Sequence, residues 1–208
     1  MPDIRVVLIG GTSNVGKSTV AQEVAERFGF DCLSTDRLAR HPGRPWRTDG
    51  GEVPSHVADH YRDLTVDELI SSVLSHYQRL WPEIEELVTA RVAGTHRGLV
   101  LKGSALWPER VARLRVPHTG AVWLTADAVL VRARVHAAAG YDQVSESKRR
   151  LVDKFLDRAD RYQALMTAAI ERLGLVRIHV RDDRSVADIA DEILEAVADQ
   201  HAARRHHP

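Results

Sequence analysis

Gly11-Thr-Ser-Asn-Val-Gly16-Lys17-Ser18 places two glycines, a lysine and a hydroxyl at the spacing of a phosphate-binding loop. Gly11 and Gly16 admit backbone angles and close approaches that a side chain blocks. The loop N–H groups can then face phosphate oxygens, with the positive end of the following helix behind them. Lys17 would reach the β- and γ-phosphates, and Ser18 would hold Mg²⁺ through its hydroxyl. The expected cofactors are ATP and Mg²⁺. The expected nucleotide contacts are Gly11, Thr12, Ser13, Asn14, Val15, Gly16, Lys17, Ser18 and Thr19.

A second chemical group follows at Ser34-Thr35-Asp36, just past a short apolar stretch. A carboxylate at the carboxyl end of a strand beside the loop strand lies where ligands gather in open α/β sheets. Asp36 is expected either to take a proton from an acceptor hydroxyl or to orient Mg²⁺-bound water. Helix capping is its structural alternative. The turn-rich stretch from His41 to Pro54 comes next, with three prolines and three glycines. Arg40, Arg44 and Arg47 suit a phosphate or carboxylate on the acceptor, because guanidinium pairs with both bidentately. Trp46 is placed as a cover for that pocket, with Tyr61 in its lining; a solvated loop that binds nothing is the alternative.

Farther on, Lys102 ends an apolar run where many phosphate-loop enzymes carry an acid that helps to organise Mg²⁺. It is assigned to the acceptor side, with Ser104 and Trp107 as secondary pocket candidates. Arg132 and Arg134 are the expected stabilisers of charge on a transferring phosphoryl group. Arg149, Arg150, Arg158 and Arg161 rank behind them, and Phe155, Leu156 and Tyr162 read as core. His56 and His60, four apart, lack a third ligand and a zincin glutamate, so no zinc site is expected.

The elements that must position these residues follow from periodicity. Val6 to Ile9, Phe30 to Leu33, Gly98 to Leu101, Gly120 to Leu124 and Leu175 to Val180 read as five strands. Helical spacing fills the intervals: Ser18 to Phe28, His56 to Leu64, Val66 to Trp81, a new helix from Pro82 to Val92, and Pro108 to Leu114. A helix after Thr125-Ala-Asp127 is expected to turn Val129, Leu130 and Ala133 inward. A break at Ala137 to Asp142 separates it from a long helix over Ser145 to Leu173, and Ser185 caps the last one. Strands alternating with helices imply an α/β fold: a three-layer P-loop NTPase architecture with a five-stranded parallel sheet flanked by helices and a helical lid. The expected organisation is one domain over 1–208, an acceptor-binding insertion over 37–96, a lid over 132–150 and a frayed tail over 202–208.

Composition removes other classes. Lys plus Arg and Asp plus Glu are both 29, so no global field recommends nucleic acid or membrane as a partner. The lone Cys32 excludes an internal disulfide and fits a reducing cytoplasm. No apolar run approaches ~20 residues. An Asn-Lys-x-Asp guanine motif is missing, which disfavours a GTPase.

With these residues in view, the chain resembles small P-loop kinases of the adenylate kinase-like group. Ile9 through Thr19, Leu33-Ser-Thr-Asp36-Arg37 and Asp153 through Tyr162 are similar to the 2-phosphoglycerate kinase family. At the loop and Asp36 the chain also resembles chloramphenicol phosphotransferase and zeta-toxin-type kinases, a likeness that implies a catalytic base at Asp36. The expected activity is ATP-dependent transfer of the γ-phosphoryl group to a hydroxyl of a small molecule. A slow-ATPase or non-catalytic nucleotide-binding regulator is the alternative.

Overall fold

The strand before the phosphate loop is apolar without alternation because both of its faces are covered. In the computed structural model, which describes residues 3–38, 42–46, 52–94 and 96–205, this strand, β1 (Val6–Gly11), is buried throughout. Val6 and Leu8 face one core and Val7 and Ile9 the other. Four further strands follow: β2 (Asp31–Ser34), β3 (Leu99–Lys102), β4 (Thr119–Ala126) and β5 (Arg177–Val180). They form one all-parallel sheet in the order β2-β3-β1-β4-β5. The expected α/β class and five-stranded parallel sheet are therefore observed.

The strand order corrects one expectation. β2 does not neighbour the loop strand; β3 lies between them, with Lys102 opposite Ile9 of β1 and Ser34 of β2. β2 and β3 thus end level, at Ser34 and Lys102, while β1 runs on past Ile9 to Gly11, and Asp36 follows just beyond the β2 end.

Helix α1 (Lys17–Phe28) buries Val20, Ala21, Val24 and Ala25 and is closed by Gly29, whose neighbour Phe30 donates its N–H to the Ala25 carbonyl at 2.8 Å. With α7 (Val186–Arg205) it covers one face of the sheet. Ser185 begins α7 with a reciprocal cap: its hydroxyl accepts from the Asp188 N–H at 3.1 Å, and the Asp188 carboxylate accepts from the Ser185 N–H at 3.1 Å. The tail expected to fray from Ala202 is helical through Arg205, and Arg204 donates to the Thr119 carbonyl at 3.0 Å. Residues 206–208 lie outside the described residues.

On the other face, α3 (Val66–Ala93), α4 (Pro108–Arg113) and α6 (Glu146–Arg172) pack against Leu8, Leu99, Leu101 and Trp123. α3 is one continuous helix with Pro82 inside it, not two helices meeting there. Pro82 is exposed, while Leu80, Trp81, Ile84 and Val88 on either side of it are buried in one core. Continuous burial outweighs the loss of one backbone donor. The remaining helices are α2 (Ser55–Asp63) and α5 (Ala128–Ala139). α5 also turns differently from the expected face. Val131, Val135 and Ala139 are inward, whereas Val129 is 80% exposed. No helix among the described residues is long and apolar enough to cross a membrane.

Candidate active site

The carboxyl ends of β1, β2, β3 and β5 surround a cleft of about 730 Å³. Ser13 through Thr19 line it, and Gly11 and Thr12 lie buried beneath. Gly11 has φ 138°, and a Cβ there would stand 2.5 Å from the Leu124 carbonyl oxygen. Gly16, at φ 98°, precedes α1 and leaves the Arg134 guanidinium room beside the loop. The two glycines are required by geometry, as their spacing implied.

Lys17 folds back over the loop and donates to the Thr12 carbonyl. Burial pushes its pKa down to about 7; Asp36 opposes that shift, and the nearby Lys102 and Arg44 charges add to it. A buried ammonium between cations is a group that gains from an arriving polyanion.

Asp36 is exposed in the cleft wall, within a 3-10 turn over Thr35–Arg37. The capping role falls to Ser34, whose hydroxyl accepts from the Asp36 N–H at 3.3 Å. The Asp36 carboxylate is left for other work. Across the β3 end, Lys102 is half-buried and donates to the Ser18 hydroxyl at 2.8 Å. Next to it, Ser104 donates to the Gly11 carbonyl at 2.9 Å, and the Ser104 carbonyl accepts from Tyr162, which ties α6 to the loop.

The two arginines expected on the lid part company. Arg134 lines the cleft, donates to the Asn14 carbonyl at 3.4 Å and stands 3.7 Å from Asp182. Arg132 is exposed outside it. Two residues along a helix turn by about 200°, which sets Arg132 and Arg134 on nearly opposite faces of α5. The rest of the 132–150 segment is tied to itself and to α6. Tyr141 donates to both Asp153 carboxylate oxygens at 2.9 Å, its ring stacks on His136 at 3.9 Å, and Arg149 donates to the Tyr141 and Asp142 carbonyls.

On the acceptor side, Arg44 lines the cleft. Trp46 does not: it is 7% exposed and packs edge-on against Phe155 at 4.8 Å. Tyr61 is fully buried beneath the wall, donating to the Gly43 carbonyl at 2.7 Å and accepting from Arg158 at 3.1 Å. Both residues are supports, because an aromatic ring buries more apolar area in the core than at a wet cleft edge. Arg40 and Arg47 lie outside the described residues. No group of three or more potential metal ligands occurs among the described residues, His56 and His60 included.

One lower-ranked candidate reaches the cleft, and two contributions lay beyond the sequence reading. Arg158 lines the cleft at 8% exposure, its guanidinium 5.1 Å from the Phe155 ring and its Nε without a hydrogen-bond partner among the described residues. Arg181 and Arg184, just past β5, complete the nucleotide end; their position at a strand's carboxyl end was the signal that could have found them. His76 and Tyr77 of α3 also line the cleft, and no local pattern marks them.

The chain superposes on solved kinases over nearly its whole length. A gluconokinase from Sinorhizobium meliloti 1021 matches at TM-score 0.56 and 18% identity, covering 99% of this chain and 98% of its own. A sugar kinase from Janibacter sp. HTCC2649 gives 0.57 and 17%, covering 96% and 97%. A shikimate kinase from Bacteroides thetaiotaomicron gives 0.51 and 14%, covering 91% and 96%. The fold is that of the P-loop kinases. No protein-family model and no curated protein matches the chain. The P-loop kinase fold thus stands on structural likeness, and the finer resemblance to 2-phosphoglycerate kinase and chloramphenicol phosphotransferase is not among the likenesses these structures show.

The donor set fits a nucleotide. The cleft lies in the size range of small-molecule sites, and the loop presents backbone donors with Lys17 and Arg134 beside them. It does not fit a protein-held Mg²⁺ at Ser18, the expected metal ligand. That hydroxyl carries the Lys102 ammonium, and Asp36 is the one carboxylate in the described lining.

Proposed function

We propose that this protein is an ATP-dependent phosphotransferase that moves the γ-phosphoryl group to a hydroxyl of a small-molecule acceptor. The observation that carries the reading is a P-loop and a capping-free carboxylate, Asp36, lining one cleft of about 730 Å³. The names of the structural neighbours, kinases of small molecules, support the same class, as does the finer resemblance at the loop and Asp36.

Backbone N–H groups of Ser13 to Thr19 and the Lys17 ammonium bind the phosphates. Arg134 lies beside the loop to neutralise charge on the moving group, and Arg181 and Arg184 border the nucleotide end. Asp36 accepts the hydroxyl proton as the acceptor oxygen bonds to the γ-phosphorus. The bond from that phosphorus to the bridging oxygen breaks, ADP leaves, and Asp36 later returns its proton to solvent. Such catalysis is positioning and electrostatics. Arg44 and Arg158, which have no carboxylate partner among the described residues, give the acceptor end a preference for an anionic group. The 132–150 segment is assigned as the lid that closes over the nucleotide, with Arg134 as its contact.

Incubation with ATP, divalent cation and a pooled metabolite library, read by mass spectrometry, tests the proposal. A product heavier by about one phosphoryl group (~80 Da) is expected. Tight ATP binding with no such product would overturn the transferase assignment in favour of a nucleotide-binding regulator.

A further inference from the structure

The charge in the cleft is out of proportion to the chain. Lys plus Arg equals Asp plus Glu over the whole sequence. Yet the described lining holds seven cationic side chains, five arginines with Lys17 and Lys102, against the single carboxylate of Asp36. Arg134, Arg181 and Arg184 have acidic partners nearby. Lys17, Lys102, Arg44 and Arg158 form no ion pair with a carboxylate among the described residues, and of these Lys17 feels the Asp36 charge.

Lys102 is the decisive member. It is the last residue of β3, held in register by β1 on one side and β2 on the other. From there its ammonium meets the Ser18 hydroxyl at 2.8 Å. A divalent cation at that hydroxyl would need oxygen ligands and nearby negative charge. The position level with Lys102 on β2 is Ser34, whose hydroxyl is already used by the Asp36 N–H. The sheet end therefore supplies a fixed positive charge where a metal site would need negative ones.

We propose that the Lys102 ammonium, anchored on Ser18, is a built-in counter-ion for the phosphates of the nucleotide, so that ATP binds this P-loop without a divalent metal. The inference rests on the nucleotide reading above. An ammonium has three donors. One holds Ser18, and two remain for phosphate oxygens. Lys17 approaches from the loop side, so the two lysines flank the phosphate chain. Their mutual repulsion is one of the causes that depress the Lys17 pKa, and an anion between them relieves it.

The test is ATP binding to the full chain by calorimetry at fixed ionic strength, in EDTA and again in excess Mg²⁺. Wild type is expected to bind in EDTA within about fivefold of its affinity in Mg²⁺. Lys102→Met should weaken binding in EDTA by more than about tenfold, and Lys102→Arg, which keeps the charge, by less than about fivefold. Wild-type affinity that falls more than about tenfold in EDTA overturns the proposal and leaves the nucleotide reading standing. The same holds if Lys102→Met binds ATP in EDTA as well as wild type does. No ATP binding in either condition removes both. Thermal melts establish that each variant is folded, and the wild-type comparison decides even if Lys102→Met is not.

Discussion

Asp36 and Lys17 carry the sharpest predictions because their surroundings assign them different work. Ser34 caps the turn in place of Asp36, so Asp36→Asn should leave the backbone and ATP affinity nearly unchanged. Removing a general base should lower kcat by about a hundredfold or more. Equal loss of ATP affinity and turnover would reassign Asp36 to nucleotide binding. Lys17 has a pKa lowered from 10.5 to about 7 by burial and by Lys102 and Arg44. A lysine depressed in the fold costs stability wherever it must stay charged. That cost is fully present below pH 7 and is relieved as pH rises from about 7 toward 10.5, where the unfolded chain binds the extra proton. Bound polyanion reverses the preference, so ATP binding above pH 7 takes up a proton. Between about pH 7.5 and 9, ATP affinity should fall by up to about tenfold per unit. Calorimetry in buffers of different ionisation enthalpy would show the proton uptake; a pH-independent affinity over that range would sink the assignment.

At the scale of elements, α3 shows how packing overrides a local rule. Pro82 reads as a helix start, yet the helix runs from Val66 to Ala93 because Leu80, Trp81, Ile84 and Val88 all bury against the sheet. Continuity also brings His76 and Tyr77 to the cleft. Pro82→Ala restores a backbone donor at an exposed site, which should stabilise the protein by about 1–2 kcal/mol after the gain in unfolded-chain freedom is set against it. The urea midpoint should rise with the m-value unchanged. A lower midpoint would mean that the proline's bend is needed for α3 to seat. In α5, a uniformly apolar first turn concealed the inward face. Val129 was as eligible as Val131 until α6 and the sheet decided which side was dry.

For the whole molecule the governing fact is a neutral chain with a cationic cleft. A balanced charge gives no long-range field, but seven cations around one carboxylate in the described lining make a local one. ATP affinity should therefore weaken by about tenfold between roughly 50 and 500 mM salt, because screening shortens the reach of these charges. The melting temperature should move little, since ion pairs elsewhere such as Arg62–Asp59 and Arg150–Glu146 are exposed and contribute little. Salt-insensitive ATP affinity would remove the electrostatic account of the site.

The local sequence determined the P-loop, its strand and helix, and the five-strand alternation. Phosphate binding is built from contiguous backbone, and Gly11, Gly16, Lys17 and Ser18 are neighbours in the chain. It also placed Asp36, Arg44, Lys102 and Arg134 among the candidates that now line one cleft. Tertiary structure decided the rest. Strand order depends on which edges pair, so the insertion of β3 between β1 and β2, and with it Lys102 against Ser18, could not be read from residues 84 positions apart. Helix rotation separated Arg134 from Arg132. Burial drew Trp46 and Tyr61 into the core and brought Arg158 to the cleft wall, because an aromatic ring and a guanidinium look equally suited to a site or a core until their neighbours are known.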